Sequence, residues 1–166
     1  MKETRHLIEK LQEKAWRKKG VHVGLLSIYD IENNAVRLLA SLLRKEGFRV
    51  TEIYFKDWVN NHFYPPIPVE MDHLRRLLVE KEVDLVGISL RASAYFKVTS
   101  ELTRFIREEA GIPVLWGGIH PTIVPDRCID RADILVRGEG EEPMRELVKA
   151  LARGEEIDSI RNLWVK

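Results

Sequence analysis

Apolar runs alternating with amphipathic stretches predict an α/β protein. The expected form is a three-layer, doubly wound fold on a five-stranded parallel sheet, with an extra helix at the N-terminus. Three observations carry this. The runs at 21–28, 48–55, 83–89, 112–116 and 134–136 are almost continuously apolar, as strands covered on both faces are. Between them, apolar residues recur every three to four positions. Gly47 and Gly111 then stop two of the helical stretches. Right-handed crossovers give strand order 2-1-3-4-5, Rossmann-like or flavodoxin-like, with the switch point between strands one and three.

In chain order, residues 4–19 predict a helix. Leu7, Ile8, Leu11 and Ala15 make one stripe, extended by Trp16; Arg17, Lys18 and Lys19 fill the last turn, and Gly20 ends it. This helix either packs on the domain edge or docks another domain. Residues 33–46 place Val36, Leu39, Ala40 and Leu43 inward, with Asn33 or Asp30 as the cap. Residues 71–82 turn Leu74, Leu77 and Leu78 inward, and residues 94–109 do so with Val98, Leu102, Phe105 and Ile106. Residues 121–130 form a short helix, and Glu141–Arg153 a longer one with Met144, Leu147, Val148 and Leu151 inward. The tail 160–165 either adds an edge strand or begins a linker. The irregular segment 56–68 carries Trp58, His62, Phe63 and Tyr64 before Pro65-Pro66-Ile67-Pro68. Its prolines exclude helix and central strand. Its aromatics meet a partner, cover a ligand or fold back on the core. The expected organisation is a helix at 1–20, an α/β domain at 21–155, and an edge strand or linker start at 156–166.

Composition removes several function classes. A net charge of +1 gives no electrostatic case for nucleic acid or an anionic membrane. No run is long enough to span a bilayer, and the N-terminus does not read as a secretory signal. The lone Cys128 fits a reducing cytoplasm and cannot hold an iron–sulfur cluster.

Ligands of an open parallel sheet bind beyond the strand ends. The loops there follow Ile28, Ser89, Trp116 and Val136. Gly117-Gly118 stands out, because a backbone without Cβ lets a ligand lie directly against it. The first loop, Tyr29-Asp30-Ile31-Glu32-Asn33, has no glycine, so the dinucleotide fingerprint is absent. A phosphate-accepting receiver domain would end its third strand in Asp and its fifth in Lys; here stand Ser89 and Arg137. Asp30, Glu32, Glu139 and Glu141 reach the edge without forming a nucleophile–base–orienter set, so no catalytic residue is assigned. His120 either donates to a ligand or bonds local backbone. The remaining histidines have no partners at metal-ligand spacing, so no metal site is assigned.

These residues resemble a known family. Val83 to Ser89, Ile112-Pro113-Val114-Leu115-Trp116-Gly117-Gly118-Ile119-His120-Pro121-Thr122 and Arg137-Gly138-Glu139-Gly140-Glu141 are similar to the third strand, double-glycine turn and fifth loop of cobalamin-binding domains. The closer likeness is to those placed before the catalytic barrel of radical S-adenosylmethionine enzymes. The resemblance covers residues 21–153. It implies that the nucleotide tail of cobalamin enters beside Gly117 and Gly118 and bonds Ser89. Arg91 and Ser93 then face the tail or corrin rim, and Gly138 to Glu141 offer backbone N–H groups. Tyr29, Asp30, Ile31, Glu32, Asn33, His120 and Pro121 complete the expected cofactor contacts.

The chain also departs from that pattern. Mutases and methionine synthase carry D-x-H-x-x-G after the first strand, whose histidine ligates cobalt. Here Asp30 fits, but Glu32 replaces the histidine and Ala35 the glycine; Arg91 replaces the leucine of S-x-L. The resemblance therefore implies a histidine-off domain that presents the corrin to a catalytic barrel, in cis or in trans, for methyl transfer. C-x-x-x-C-x-x-C is absent, so the iron–sulfur cluster and S-adenosylmethionine are expected only in that other domain. The alternative is a cofactor-free docking or regulatory module of the same fold.

Overall fold

The computed structural model describes residues 2–18, 20–60 and 62–166; Lys19, expected in the last turn of the first helix, lies outside them. Six strands form one sheet in the order β2-β1-β3-β4-β5-β6. Strands β1 (His22–Ile28), β2 (Arg49–Phe55), β3 (Leu85–Ser89), β4 (Val114–Gly117) and β5 (Ile134–Val136) run parallel, as expected. The tail supplies β6 (Leu163–Val165), which pairs antiparallel with β5, so the edge strand prevails over the linker.

Helices cover both faces. α1 (Lys2–Lys18), α2 (Asn34–Lys45) and α7 (Glu141–Arg153) pack with Val23, Leu25, Leu85, Leu115, Ile134 and Val136 of the sheet. α3 (Pro68–Glu80), α4 (Phe96–Phe105) and α6 (Pro125–Ile129) back the opposite face, with α5 (Ile119–Ile123) at the strand ends. There the fully buried Trp116 donates from Nε1 to Thr103 Oγ1 at 2.7 Å. α1 packs as the stripe requires: Ile8, Leu11 and Ala15 are buried in the core shared with α7, and Thr4 Oγ1 donates to the buried Asp133 at 2.8 Å. Asp84 and Asp133 sit at the N-terminal end of the strands, accepting from the N–H groups of His22 and Val114. They brace the end of the sheet away from the glycine turn. No helix among the described residues is long and apolar enough to cross a membrane.

Three elements differ from the sequence reading. Proline was expected to exclude helix through residue 68, yet Pro68 is the first residue of α3. At that position the missing N–H has no partner to lose, and Glu70 closes the turn by accepting from the Ile67 N–H at 2.9 Å. The helix expected at 121–130 is two, α5 and α6. Val124 between them has φ −128°, because Pro125 pushes the residue before it out of the helical region. The helix expected at 94–109 opens with a 3₁₀ turn, Ser93–Tyr95. It ends in a wider turn, Ile106–Ala110, stopped by Gly111 at φ +65°.

Candidate functional site

The strand register lays out the site. Leu25, Gly87, Leu115 and Ile134 stand side by side across β1, β3, β4 and β5 on the α2/α7 face. One step toward the C-terminal edge, Ser27, Ser89 and Gly117 form the next row on that face. Small residues at Gly87, Ser89 and Gly117 leave the sheet unfilled there, and the result is a cavity of about 420 Å³. Leu25, Leu115 and Val136 form its floor. Val36, Leu39 and Met144 wall it from the helices, and Leu38, Ile119 and Ile123 edge its mouth.

The two glycines do different work. A Cβ on Gly117 would meet only Val136 Cβ at 3.9 Å, so the protein does not need that position bare; its missing side chain is space in the slot. Gly118 has φ +109°, and a Cβ there would come within 2.9 Å of the Leu90 carbonyl oxygen. Leu90 cannot retreat, because its N–H donates to Gly117 O at 2.8 Å and its carbonyl accepts from His120 N at 3.2 Å. Gly118 therefore serves the close approach of two strand ends.

Hydrogen bonds fix the rim. Asn33 Oδ1 caps α2 by accepting from Val36 N at 3.1 Å, while its Nδ2 donates to Ser89 Oγ at 3.1 Å. Asn33 thus makes the cap, and Ser89 is held across the β1–β3 gap with its hydroxyl hydrogen still available to donate. Thr122 Oγ1 donates to Gly118 O at 2.8 Å and accepts from Gly138 N at 2.9 Å, tying the loop after β4 to the loop after β5. Gly138 has φ +74°, with open space where a Cβ would point.

Of the residues singled out from sequence, Ser89, Gly117, Gly118, Gly138, Glu139, Gly140 and Glu141 line this slot. The others lie around it. Asp30 pairs with Arg91 at 2.9 Å over the ends of β1 and β3, while Ile31 and Glu32 are exposed on the same loop. Tyr29 is buried at φ +57°, its ring against Phe63 and Tyr95 and its hydroxyl donating to Tyr64 O. Burial pushes its phenol pKa up. That side chain is committed to the α3/α4 face, away from the slot. Arg91, Ser93 and His120 belong to a second cavity of about 400 Å³, reached past Ile119 and Ile123. His120 lies on α5, not on a loop, and its Nδ1 bonds Ser93 Oγ at 2.9 Å, a side chain in place of the backbone expected for a local bond. Burial, with nearby Arg127, pushes its pKa down, which favours the uncharged ring. Pro121 is buried in α5.

Sequence reasoning missed the floor and walls, including Leu25, Gly87, Leu115, Val36, Leu39 and Met144. The one available signal was Gly87 inside an apolar strand, which marks close approach or missing volume. No group of three or more potential metal ligands comes together among the described residues. The geometry is a narrow apolar slot with one free hydroxyl donor, open at the switch-point edge. It can hold an elongated ligand arm and carries no acid–base pair.

Comparisons with known proteins give relatives of the fold and the family. Over 98 residues the chain is 32% identical to an uncharacterized methyltransferase of Pyrococcus horikoshii, covering 56% of this chain and 21% of that protein. Over 122 residues it is 30% identical to the anaerobic magnesium-protoporphyrin IX monomethyl ester cyclase of Rubrivivax gelatinosus, covering 72% of this chain and 20% of that one. It thus spans about a fifth of these curated relatives. Two solved structures of the radical S-adenosylmethionine methyltransferase TsrM from Kitasatospora setae share the fold at 23% identity. The structure with tryptophan substrate and a S-adenosylmethionine analogue matches with TM-score 0.65 over 85% of this chain and 28% of that one. The structure with cobalamin and a [4Fe-4S] cluster matches with TM-score 0.64 over 86% and 27%. The family model described as the B12 binding domain matches residues 21–148, which hold strands β1 to β5 and the slot, and the chain belongs to that family.

Proposed function

We propose that this domain holds cobalamin in the histidine-off mode, nucleotide arm in the slot, and offers the corrin to a radical S-adenosylmethionine domain elsewhere in the protein or in a partner. The observation that carries the reading is the slot itself. Bare backbone at Gly117 and an available donor at Ser89 face an apolar cavity at the switch-point edge. Asn33 and Thr122 hold that edge in place. Glu32 stands exposed where a cobalt-ligating histidine would be, and the one histidine near the rim, His120, is bonded to Ser93. The cofactor supplies methyl-transfer or radical chemistry when bound; this chain's residues bind, orient and shield it. The iron–sulfur cluster and S-adenosylmethionine belong to the catalytic domain. The single, buried Cys128 supports a cytoplasmic setting.

The test mixes the purified chain with hydroxocobalamin, followed by gel filtration with visible detection. Corrin co-eluting with protein is expected. After reduction to cob(II)alamin, the electron paramagnetic resonance spectrum should lack nitrogen splitting from an axial ligand. Colour only in the small-molecule fraction refutes binding, and a nitrogen-split spectrum, from histidine or from cobalamin's own benzimidazole on cobalt, refutes the arm detached into the slot without a histidine ligand.

A second reading has its own observation. Trp58, Phe63 and Tyr64 are each about half exposed beside the functional edge, as anchors for a protein partner would be. A partner pulldown that depends on these aromatics, with no corrin retained, would favour a cofactor-free docking module.

A further inference from the structure

We infer that the second cavity, lined from α4, α5 and α6, binds a small organic anion: a carboxylate or phosphate head carried on an apolar body. This cavity of about 400 Å³ is of the size that small-molecule sites have, and it shares only Ile119 and Ile123 with the slot. Its charged lining side chains are Arg91 and Arg127, both positive, with no carboxylate among them. Arg91 spends Nη1 on Asp30 at 2.9 Å, and its other nitrogens have no partner among the described residues. Arg127 makes no ion pair among the described residues. After burial, its charge is what pushes the His120 pKa down, so it stands close to that ring.

Ser93 and His120 add a further donor. Ser93 Oγ and His120 Nδ1 lie 2.9 Å apart. With an uncharged ring the pair holds two polar hydrogens, and its mutual bond uses one. Whichever group donates, one hydrogen is left over, on His120 Nε2 or on Ser93 Oγ. Backbone acceptors here are already satisfied: His120 O accepts from Val124 N at 3.0 Å, Ser93 O from the Phe96 N–H, and Phe96 O from Ser100 Oγ at 2.8 Å. The rest of the lining is carbon, from Ile123, Val124 and Phe96, whose ring lies 5.4 Å from that of His120. Guanidinium groups meet carboxylate and phosphate oxygens through charge-assisted hydrogen bonds. One anionic head on a carbon body satisfies both kinds of wall.

The experiment titrates the full chain, with no corrinoid added, and follows the His120 ring protons by NMR. The probes are benzoate, phenyl phosphate, the neutral benzyl alcohol, and acetate, which keeps a head without the body. Benzoate or phenyl phosphate should give saturable shifts at His120, the tighter of the two naming the head. Benzyl alcohol, without the charge, and acetate, without the buried carbon, should each bind about tenfold or more weakly. Arg127→Gln, at an exposed position, should melt as the wild type does and bind the anion about tenfold or more weakly. No saturable shift with either anion overturns the site. Benzyl alcohol binding as tightly overturns the part given to charge, acetate binding as tightly overturns the part given to the carbon wall, and wild-type affinity in folded Arg127→Gln overturns the guanidinium as the anion's partner. Each of these results leaves the cobalamin reading standing, since that reading is tested by corrin retention in the slot.

Discussion

Replacing Gly117 by leucine separates the slot from the fold. The backbone at Gly117 is not left-handed, and the first added carbon would lie 3.9 Å from Val136 Cβ, an ordinary contact. The rest of the side chain then extends into a cavity of about 420 Å³. Four carbons at roughly 25–30 Å³ each, close to a water's share of volume, would fill about a quarter of it. Forcing a ligand into overfilled space costs about 1–3 kcal/mol, so cobalamin affinity should fall about 5- to 150-fold. Thermal stability should hold, because a strand glycine gains from a side chain that finds room. Gly118→Ala is the counterpart. Left-handed strain alone costs about 1–3 kcal/mol, and the 2.9 Å approach to Leu90 O adds to it. In a domain of this size, each 1 kcal/mol lowers the melting temperature by about 2–4 °C. Equilibrium dialysis beside thermal melts would read both. A folded Gly117→Leu protein with wild-type affinity would refute the assignment of the slot to the ligand.

Other outcomes follow from single contacts. Asn33→Ala removes the α2 cap and should lower stability by about 1 kcal/mol in urea; Ser89→Ala leaves the buried Asn33 Nδ2 without its acceptor, so it should cost about 1–3 kcal/mol of stability and weaken cobalamin about fivefold, and unchanged affinity would place the hydroxyl outside the ligand's reach. His22 is held neutral in the fold: burial lowers its pKa, and Nδ1 donates to Lys81 O at 2.7 Å while Nε2 accepts from Thr51 Oγ1 at 2.9 Å. Its stabilisation is therefore complete above the unfolded value of about 6.5 and is lost as pH falls through the lower folded value. The gap in urea midpoint between wild type and His22→Gln should shrink from pH 7 to 5, and a constant gap would contradict this. Burial pushes the Cys128 thiol up to about 11, so a thiol reagent should label it only after denaturant is added; rapid native labelling would mean that α6 opens.

Much of this was legible because the chain states it locally. The boundaries of α7 agree with the sequence reading to the residue, since Gly140 precedes it, Gly154 takes the left-handed position after it, and its apolar stripe is unbroken. Gly117, Gly118 and Ser89 could be placed at the edge because each ends an apolar run. What was not legible depends on neighbours distant in sequence. Leu25 and Leu115 look like any core leucines; that they floor a cavity follows from Gly87 standing between them in register. The different duties of Gly117 and Gly118 depend on where Leu90 lies, which no spacing reveals. Tyr29 turned to the opposite face because a left-handed turn at the end of β1 redirects its side chain, an outcome that residue type argues against.

The slot touches only one of the two helical layers. α3 and α4 pack on the core that holds Trp116, while Leu39 of α2 and Met144 of α7 border the slot. Amide hydrogens of α2 and α7 should then trade with deuterium faster than those of α4 while the chain is empty, and slow selectively when a corrinoid enters. Occupancy would thus be recorded in the backbone of one layer only, readable in a mixture without any visible colour.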